Sequence, residues 1–333
     1  MLEDEENLDL DLQSRYAQFR EATQPALDGA ADLWQSYTAR TSDLAFQLCE
    51  QLRLILSPTH ATRMKGDYRT GKRLNMRQII PFIASDFAKD KIWLRRTKPS
   101  ARRYQVLLSI DDSKSMAHSR TAHLAMQTVT LLSSALTKLE VGDISICRFG
   151  RHMDILHGFG EQSFSRHDGA RMISSMSFGQ RSTDVLKLLQ SSLSYLADAR
   201  SNQSTSGTGE LWQLQIIVSD GMCEDHDRLR CLLRQANENR VVVVFVILDA
   251  LNDPAPAGAA ESASQPQQQQ RSSILSMNRV SYQSDSQGKM ELKMERYLDT
   301  FPFDNFVIVR DVQSLPDVLS ATLRQWAERV NAA

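Results

Sequence analysis

The hydrophobic rhythm of the chain changes near residue 103, and the change separates two kinds of structure. Before it, Leu33, Tyr37, Leu44, Leu48, Leu52 and Ile55 follow one another at three, four or seven residues. That spacing puts them on one helical face over residues 14–56, and Ser57-Pro58 closes the run. After Arg103, short continuous apolar runs alternate with amphipathic ones. YQVLLSI (residues 104–110) reads as a strand covered on both faces, and Ser119–Leu139 as a helix with Leu124, Leu131, Leu132 and Leu139 on one side. Residues 143–149 and Met153–His157 look like strands paired around Gly150. A helix over 184–199, a strand over 214–219, a helix over 227–238 and the strand VVVVFVIL (Val241–Leu248) follow. Phe306–Val309 and a helix over 314–330 close the chain. Strands alternating with helices in this way predict a doubly wound α/β domain with a mostly parallel, Rossmann-like sheet.

Two segments stand outside that pattern. Residues 1–13 hold six acids and no base, and read as the end of a solvated acidic tail. Residues 250–289 contain Pro254, Pro256, Pro266 and QPQQQQ, with hardly an apolar core position, and read as a mobile insertion. The expected division is therefore an acidic tail end (1–13), a helical and basic N-terminal extension (14–103), the α/β domain (104–249 and 290–333) and the insertion.

Charge sharpens the division. The net charge of -1 conceals 4 Lys/Arg against 11 Asp/Glu in residues 1–59, and 13 against 3 in residues 60–103. Thirteen cations in 44 residues fit an acidic protein surface, nucleic acid or an import receptor as well as a solvated face. Tyr68 and Trp93 are too few to argue for base stacking, so direct RNA binding is not the expected role. The longest apolar run is eight residues, against roughly 20 for a membrane helix, so no membrane partner is expected. An acidic N-terminus and four scattered cysteines without a C-x-x-C pair predict no secretion and a reducing compartment, with buried thiols.

The candidate chemistry sits where strands end. The first strand runs into Asp111-Asp112-Ser113-Lys114-Ser115, a D-x-S-x-S pattern; the strand at 214–219 runs into Asp220-Gly221; Thr183-Asp184 lies between them, just before a helix. In an open α/β sheet, ligands bind outside the carboxyl ends of the strands at the topological switch point. Two carboxylates and three hydroxyls would then share one crevice. Such hard oxygen donors suit Mg²⁺, with Mn²⁺ or Ca²⁺ as substitutes, and do not suit zinc. If Ser113, Ser115 and Thr183 touch the ion directly, it keeps most of its charge, and Asp111 and Asp220 act mainly through water. Such an ion accepts a carboxylate from outside. With 26 Asp and 36 Ser in the chain, a chance D-x-S-x-S is expected roughly 0.3 times. The pattern alone is weak; its place at a strand end with two matching segments in order is not. Lys114, Gln180, Arg181 and Gly221 are the expected rim around a bound ligand.

This constellation resembles the metal-ion-dependent adhesion site of von Willebrand factor A domains, over residues 104–249 and 290–333. Asp111, Ser113 and Ser115 match its first segment, Thr183 its second and Asp220 its third. GKRLNMRQIIPFIASDFAKDKIWLRRTKPSARRYQVLLSIDDSKSM and FGQRSTDV further resemble the C-terminal end of the midasin family, dynein-related AAA ATPases of ribosome assembly. That resemblance implies a non-enzymatic, Mg²⁺-dependent protein-binding module in the nucleus, nucleolus and nucleoplasm. Its implied ligands are ubiquitin-like domains of large-subunit assembly factors, such as WD-repeat proteins of the Notchless type. One departure is Asp112, a second acid expected to point away from the site. Two other readings stay open: the A domain of a chelatase-type AAA partner subunit, and an RNA-binding module using residues 60–103. Gly66 to Arg73 mimics a phosphate-binding loop but ends in Arg where Mg²⁺ needs a hydroxyl, and no G-x-S-x-G is present.

Overall fold

Along the first strand of the α/β domain, Val106, Leu108 and Ile110 join one apolar cluster and Leu107 joins another. The alternation follows from side chains pointing to opposite faces of a strand, and it means the sheet is covered on both sides. The computed structural model describes residues 2–22, 27–56, 64–71, 73–96, 103–139, 142–161, 163–203, 211–250, 273–284 and 290–332. Among these, no helix is long and apolar enough to cross a membrane.

In chain order the elements are α1 (Leu2–Glu21), α2 (Leu27–Leu56), β1 (Met64–Tyr68), β2 (Arg73–Leu74), α3 (Met76–Ala84), β3 (Trp93–Arg96), β4 (Arg103–Asp111), α4 (Ser119–Leu139), β5 (Gly142–Phe149), β6 (Met153–His157), α5 (Arg166–Ser175), α6 (Val185–Gln203), β7 (Leu211–Ser219), α7 (His226–Glu238), β8 (Val241–Leu248), β9 (Asn278–Ser284), β10 (Met290–Arg296), β11 (Phe306–Val309) and α8 (Leu315–Ala332). The large sheet runs β11-β8-β7-β4-β5-β6 and is parallel except for the β5–β6 pair. It has the mixed, mostly parallel α/β architecture that the sequence predicts. The chain leaves β4 toward β5 and β6, then returns to build β7, β8 and β11 on the other side. The switch point therefore falls between β4 and β7, and their carboxyl ends form a crevice.

One face of the sheet is covered by α4, α5 and α8, with α2 laid across them, and the other by α6 and α7. Leu33, Tyr37, Leu48 and Leu52 of α2 are all buried in the same cluster as Val106 and Leu108, so α2 is part of the domain's core. The expected acidic tail differs more. Residues 2–21 are helical, Leu12 and Tyr16 are buried, and Asp9 accepts from Arg40 (2.9 Å) and Gln127 (2.7 Å) with His123 at 3.3 Å. One helical side carries Leu12 and Tyr16, while Asp11 and Glu21 are exposed. Of the four cysteines, all free, only Cys49 and Cys147 are buried; Cys231 is exposed, contrary to expectation.

Residues 64–96 form a small antiparallel sheet, β1-β3-β2, carrying α3. The insertion is also only partly as expected. Residues 251–272 lie outside the described residues, but β9 and β10 pair as a hairpin, and Ile274 is buried. Asp249 accepts from Ser273 Oγ (2.6 Å) and Arg310 Nε (3.1 Å), which pins the returning chain beside β8. Replacing 251–272 with a short Gly/Ser linker is expected to change stability by less than about 1 kcal/mol, since the segment's composition offers the core almost nothing. Ile274→Ala is expected to cost about 2 kcal/mol, the low end for a buried isoleucine. Chemical denaturation of the two variants checks both; a linker variant that fails to fold would make 251–272 packed structure.

Candidate metal centre

Three loops reach the carboxyl edge between β4 and β7, and each is held by backbone and side-chain hydrogen bonds. In the first, β4 ends on Asp111, which is buried. Its Oδ1 accepts from Ser113 N (2.9 Å) and its Oδ2 from Ser219 Oγ (2.5 Å). The first of these is an Asx turn, the local bond by which an aspartate reverses the chain behind it. It swings Ser113 and Ser115 to the same side, where their hydroxyls lie 2.8 Å apart. Two neighbouring hydroxyl oxygens beside a buried carboxylate make a ready face for a cation.

The second loop, 176–184, is fastened to the first. Ser113 and Gln180 form an isolated parallel bridge, with Lys114 N donating to Gln180 O (2.6 Å) and Gln180 N to Asp112 O (3.3 Å). Asp112 does point away from the crevice, and its job there was not visible in sequence. Its carboxylate accepts from Ser177 N (2.9 Å), Phe178 N (2.5 Å), Ser177 Oγ (3.3 Å) and Gln180 Nε2 (3.5 Å), while Arg148 Nη1 lies 3.7 Å away. Gln180 Oε1 accepts from Arg151 N (2.7 Å), and a Cβ at Gly150 would stand 2.3 Å from that oxygen. Only glycine admits the close approach. At the far end Asp184 N donates to Gly150 O (3.0 Å). Half-buried Thr183 is therefore carried on a loop clamped on both sides of it.

The third loop follows β7. Asp220 Oδ1 accepts from Met222 N (3.2 Å), and Gly221 turns with φ +85°, a left-handed conformation that glycine adopts freely. Gly221 is roofed by Ile274, whose Cδ1 would lie 2.6 Å from an added Cβ. Tyr297 locks the turn, donating from its hydroxyl to Gly221 O (2.9 Å) and accepting from Cys223 N (2.8 Å). Ser219 and Tyr297 are functional supports that sequence reading missed. Ser219 adjoins Asp220, which was the available signal; Tyr297 had none.

The expected donors Asp111, Ser113 and Ser115 thus lie together, Asp220 acts on Asp111, and Thr183 is held on the adjoining loop. Of the expected rim, Lys114 and Arg181 are exposed, Gln180 is a half-buried brace, and Gly221 is buried beneath Ile274. Burial pushes the Asp111 carboxyl up to about 7; the Ser219 hydroxyl opposes that rise and the charge of Asp220 adds to it. Two carboxylates crowded out of water beside a hydroxyl pair are a donor set that a small hard cation relieves, so the residues fit a divalent ion. Among the described residues no three His, Cys, Asp or Glu side chains form a metal cluster, because most of these donors are hydroxyls.

Comparison with known proteins decides the family. The chain is 41% identical to midasin of Dictyostelium discoideum over 296 residues, and 38% identical to midasin of Giardia intestinalis over 292 residues. These spans cover 89% and 88% of the chain. The chain belongs to the midasin family. It spans 5% and 6% of the length of those two relatives, so it corresponds to a small part of a midasin. No family model matches it. Among solved structures it is similar to the conserved hypothetical protein BatB of Bacteroides thetaiotaomicron (TM-score 0.40, 14% identity, 68% of this chain and 99% of that one). It is also similar to manganese-loaded TRAP protein of Plasmodium vivax (TM-score 0.36, 16% identity, 44% and 57%).

Proposed function

We propose that this midasin segment is a Mg²⁺-dependent, non-enzymatic protein-binding module that captures one Asp or Glu side chain of its partner. The observation that carries the reading is the meeting of the Asp111–Ser115, Thr183 and Asp220 loops at the switch point of the sheet. Asp111, Ser113, Ser115, Thr183 and Asp220 would hold the ion, which supplies an electrophilic position for an outside carboxylate. The chain's own contribution is rigidity. Asp112, Gln180 and Tyr297 fix the three loops before any ligand arrives, so little ordering entropy remains to be lost on binding.

The partner class implied by family membership is the ubiquitin-like domain of large-subunit assembly factors, the WD-repeat proteins of the Notchless type among them. The parent chain, acting as an AAA ATPase in the nucleus, nucleolus and nucleoplasm, would pull on that anchor to strip the factor from the pre-ribosome. A metal–carboxylate link enclosed by protein contacts suits a load better than an exposed salt bridge, whose worth is about 0–1 kcal/mol. The test is capture of such a ubiquitin-like domain on immobilised segment, with Mg²⁺ and with chelator. Capture is expected with Mg²⁺ and loss to background with chelator; retention in chelator would contradict metal dependence.

A further inference from the structure

The metal loops are flanked by exposed cations. Lys114 follows Ser113, Arg181 follows Gln180, and Arg151 stands in the turn between β5 and β6, all with exposed side chains. Other cations nearby are paired: Arg148 lies 3.1 Å from Asp154, Arg171 3.4 Å from Asp168, and Lys187 2.8 Å from Asp184. Among the described residues, Lys114, Arg151 and Arg181 have no carboxylate within ion-pair distance. Gln180 ties them together, accepting from Lys114 N with its carbonyl and from Arg151 N with its side chain. The third loop differs in sign, with Glu224 and Asp225 beyond Asp220.

A cavity of about 420 Å³ opens beside these loops, lined by Gly150, Arg151, His152, Asp184, Lys187 and Gln190 among others. It adjoins the candidate metal centre directly, since Asp184 follows Thr183 and bonds Gly150 O through its backbone. The one acid in its wall is already occupied: Asp184 accepts from Lys187 N (2.9 Å) as well as pairing with Lys187 Nζ. The remaining charge facing the cavity is that of Arg151, with His152 as a further donor.

We propose that this cavity is a second subsite, which takes another Asp or Glu of the same acidic protein partner whose first carboxylate meets the metal. The inference rests on the metal-binding reading above and adds to it the partner's charge pattern. The partner presents an acidic patch over the Asp111 and Thr183 loops and turns its neutral or basic side to Glu224 and Asp225. Two anchored carboxylates also fix the partner's rotation, which one metal bond leaves free. A nucleic acid fits less well, because the wall offers no exposed Phe, Tyr or Trp for stacking.

The probe is the ubiquitin-like domain, its surface Asp and Glu replaced singly by Ala and titrated against wild-type segment and Arg151→Ala. One acidic residue, distinct from the metal-facing one, is expected to cost about tenfold in Kd against wild type and less than twofold against Arg151→Ala. Its loss and that of the metal-facing carboxylate should add, because they leave different sites. Arg151→Glu should weaken binding at least tenfold at low salt, and less as salt rises. Chelator-sensitive binding that is indifferent to Arg151→Glu and His152→Glu overturns the subsite and leaves the metal reading standing. Chelator-insensitive binding overturns the metal reading and the subsite with it. A single-stranded RNA oligonucleotide that outcompetes the acidic domain at Arg151 also overturns the proposal.

Discussion

Asp111→Ala is expected to abolish metal-dependent partner binding while leaving stability within about 1 kcal/mol of wild type. The two effects separate because the carboxylate sits in opposed fields. It accepts from Ser113 N and Ser219 Oγ, and a buried donor left without its acceptor costs about 1–3 kcal/mol. Against that, the residue is fully buried beside Asp220, and burying one carboxylate near another is unfavourable; its removal relieves the pair. Ala also fits the end of β4 without strain. Circular dichroism, a thermal melt and a binding titration are the measurements. A variant that no longer folds would make Asp111 a structural residue, and one that binds normally would remove it from the metal centre.

The neighbouring substitution should behave in the opposite order. Asp112→Ala is expected to destabilise the protein by about 3 kcal/mol and to weaken metal binding only as a consequence. Here a cation, Arg148, lies 3.7 Å from the carboxylate, which accepts from two backbone N–H groups, a hydroxyl and an amide on the 176–180 loop. Buried groups left unpaired set the magnitude. Asp112→Asn keeps one acceptor oxygen and should recover part of the loss. Denaturant unfolding of the three proteins, with Mn²⁺ affinity measured on each, decides the matter. An Asp112→Ala protein as stable as wild type but unable to hold Mn²⁺ would make Asp112 a ligand rather than a brace.

The contrast between these adjacent aspartates shows where the sequence could be read and where it could not. Strand ends are legible because an apolar run stops abruptly: residues 104–110 and 214–219 delivered Asp111 and Asp220 to one edge, and Thr183 fell before a helix as expected. Supports are not legible, since Asp112, Gln180 and Tyr297 act through partners 29 to 76 residues away. The helix α5 was missed because few apolar residues mark it; its signal is the capping box of Ser165 and Asp168. The β1–β3 sheet has strands of two to five residues dense in charge, too short to show a period. Residues 1–13 misled through composition. Six acids obscured Leu12 and Tyr16, four residues apart, which are enough to seat a helix.

The central claim is that a bound ion is itself the contact for the partner's carboxylate. The Ser113 and Ser115 hydroxyls, which would hold the ion directly, are neutral, so an anionic oxygen from the partner should be strongly preferred. The direct measurement is a titration of the wild-type partner and of one whose metal-facing Asp or Glu is replaced by Ala, each with Mg²⁺ and with chelator. Deleting the carboxylate should cost as much as adding chelator, and the two losses should not add, because both remove the same bond. A carboxylate-deleted partner that still gains clearly from Mg²⁺ would contradict the account: the ion would then only organise the three loops, and the partner would be held by something else.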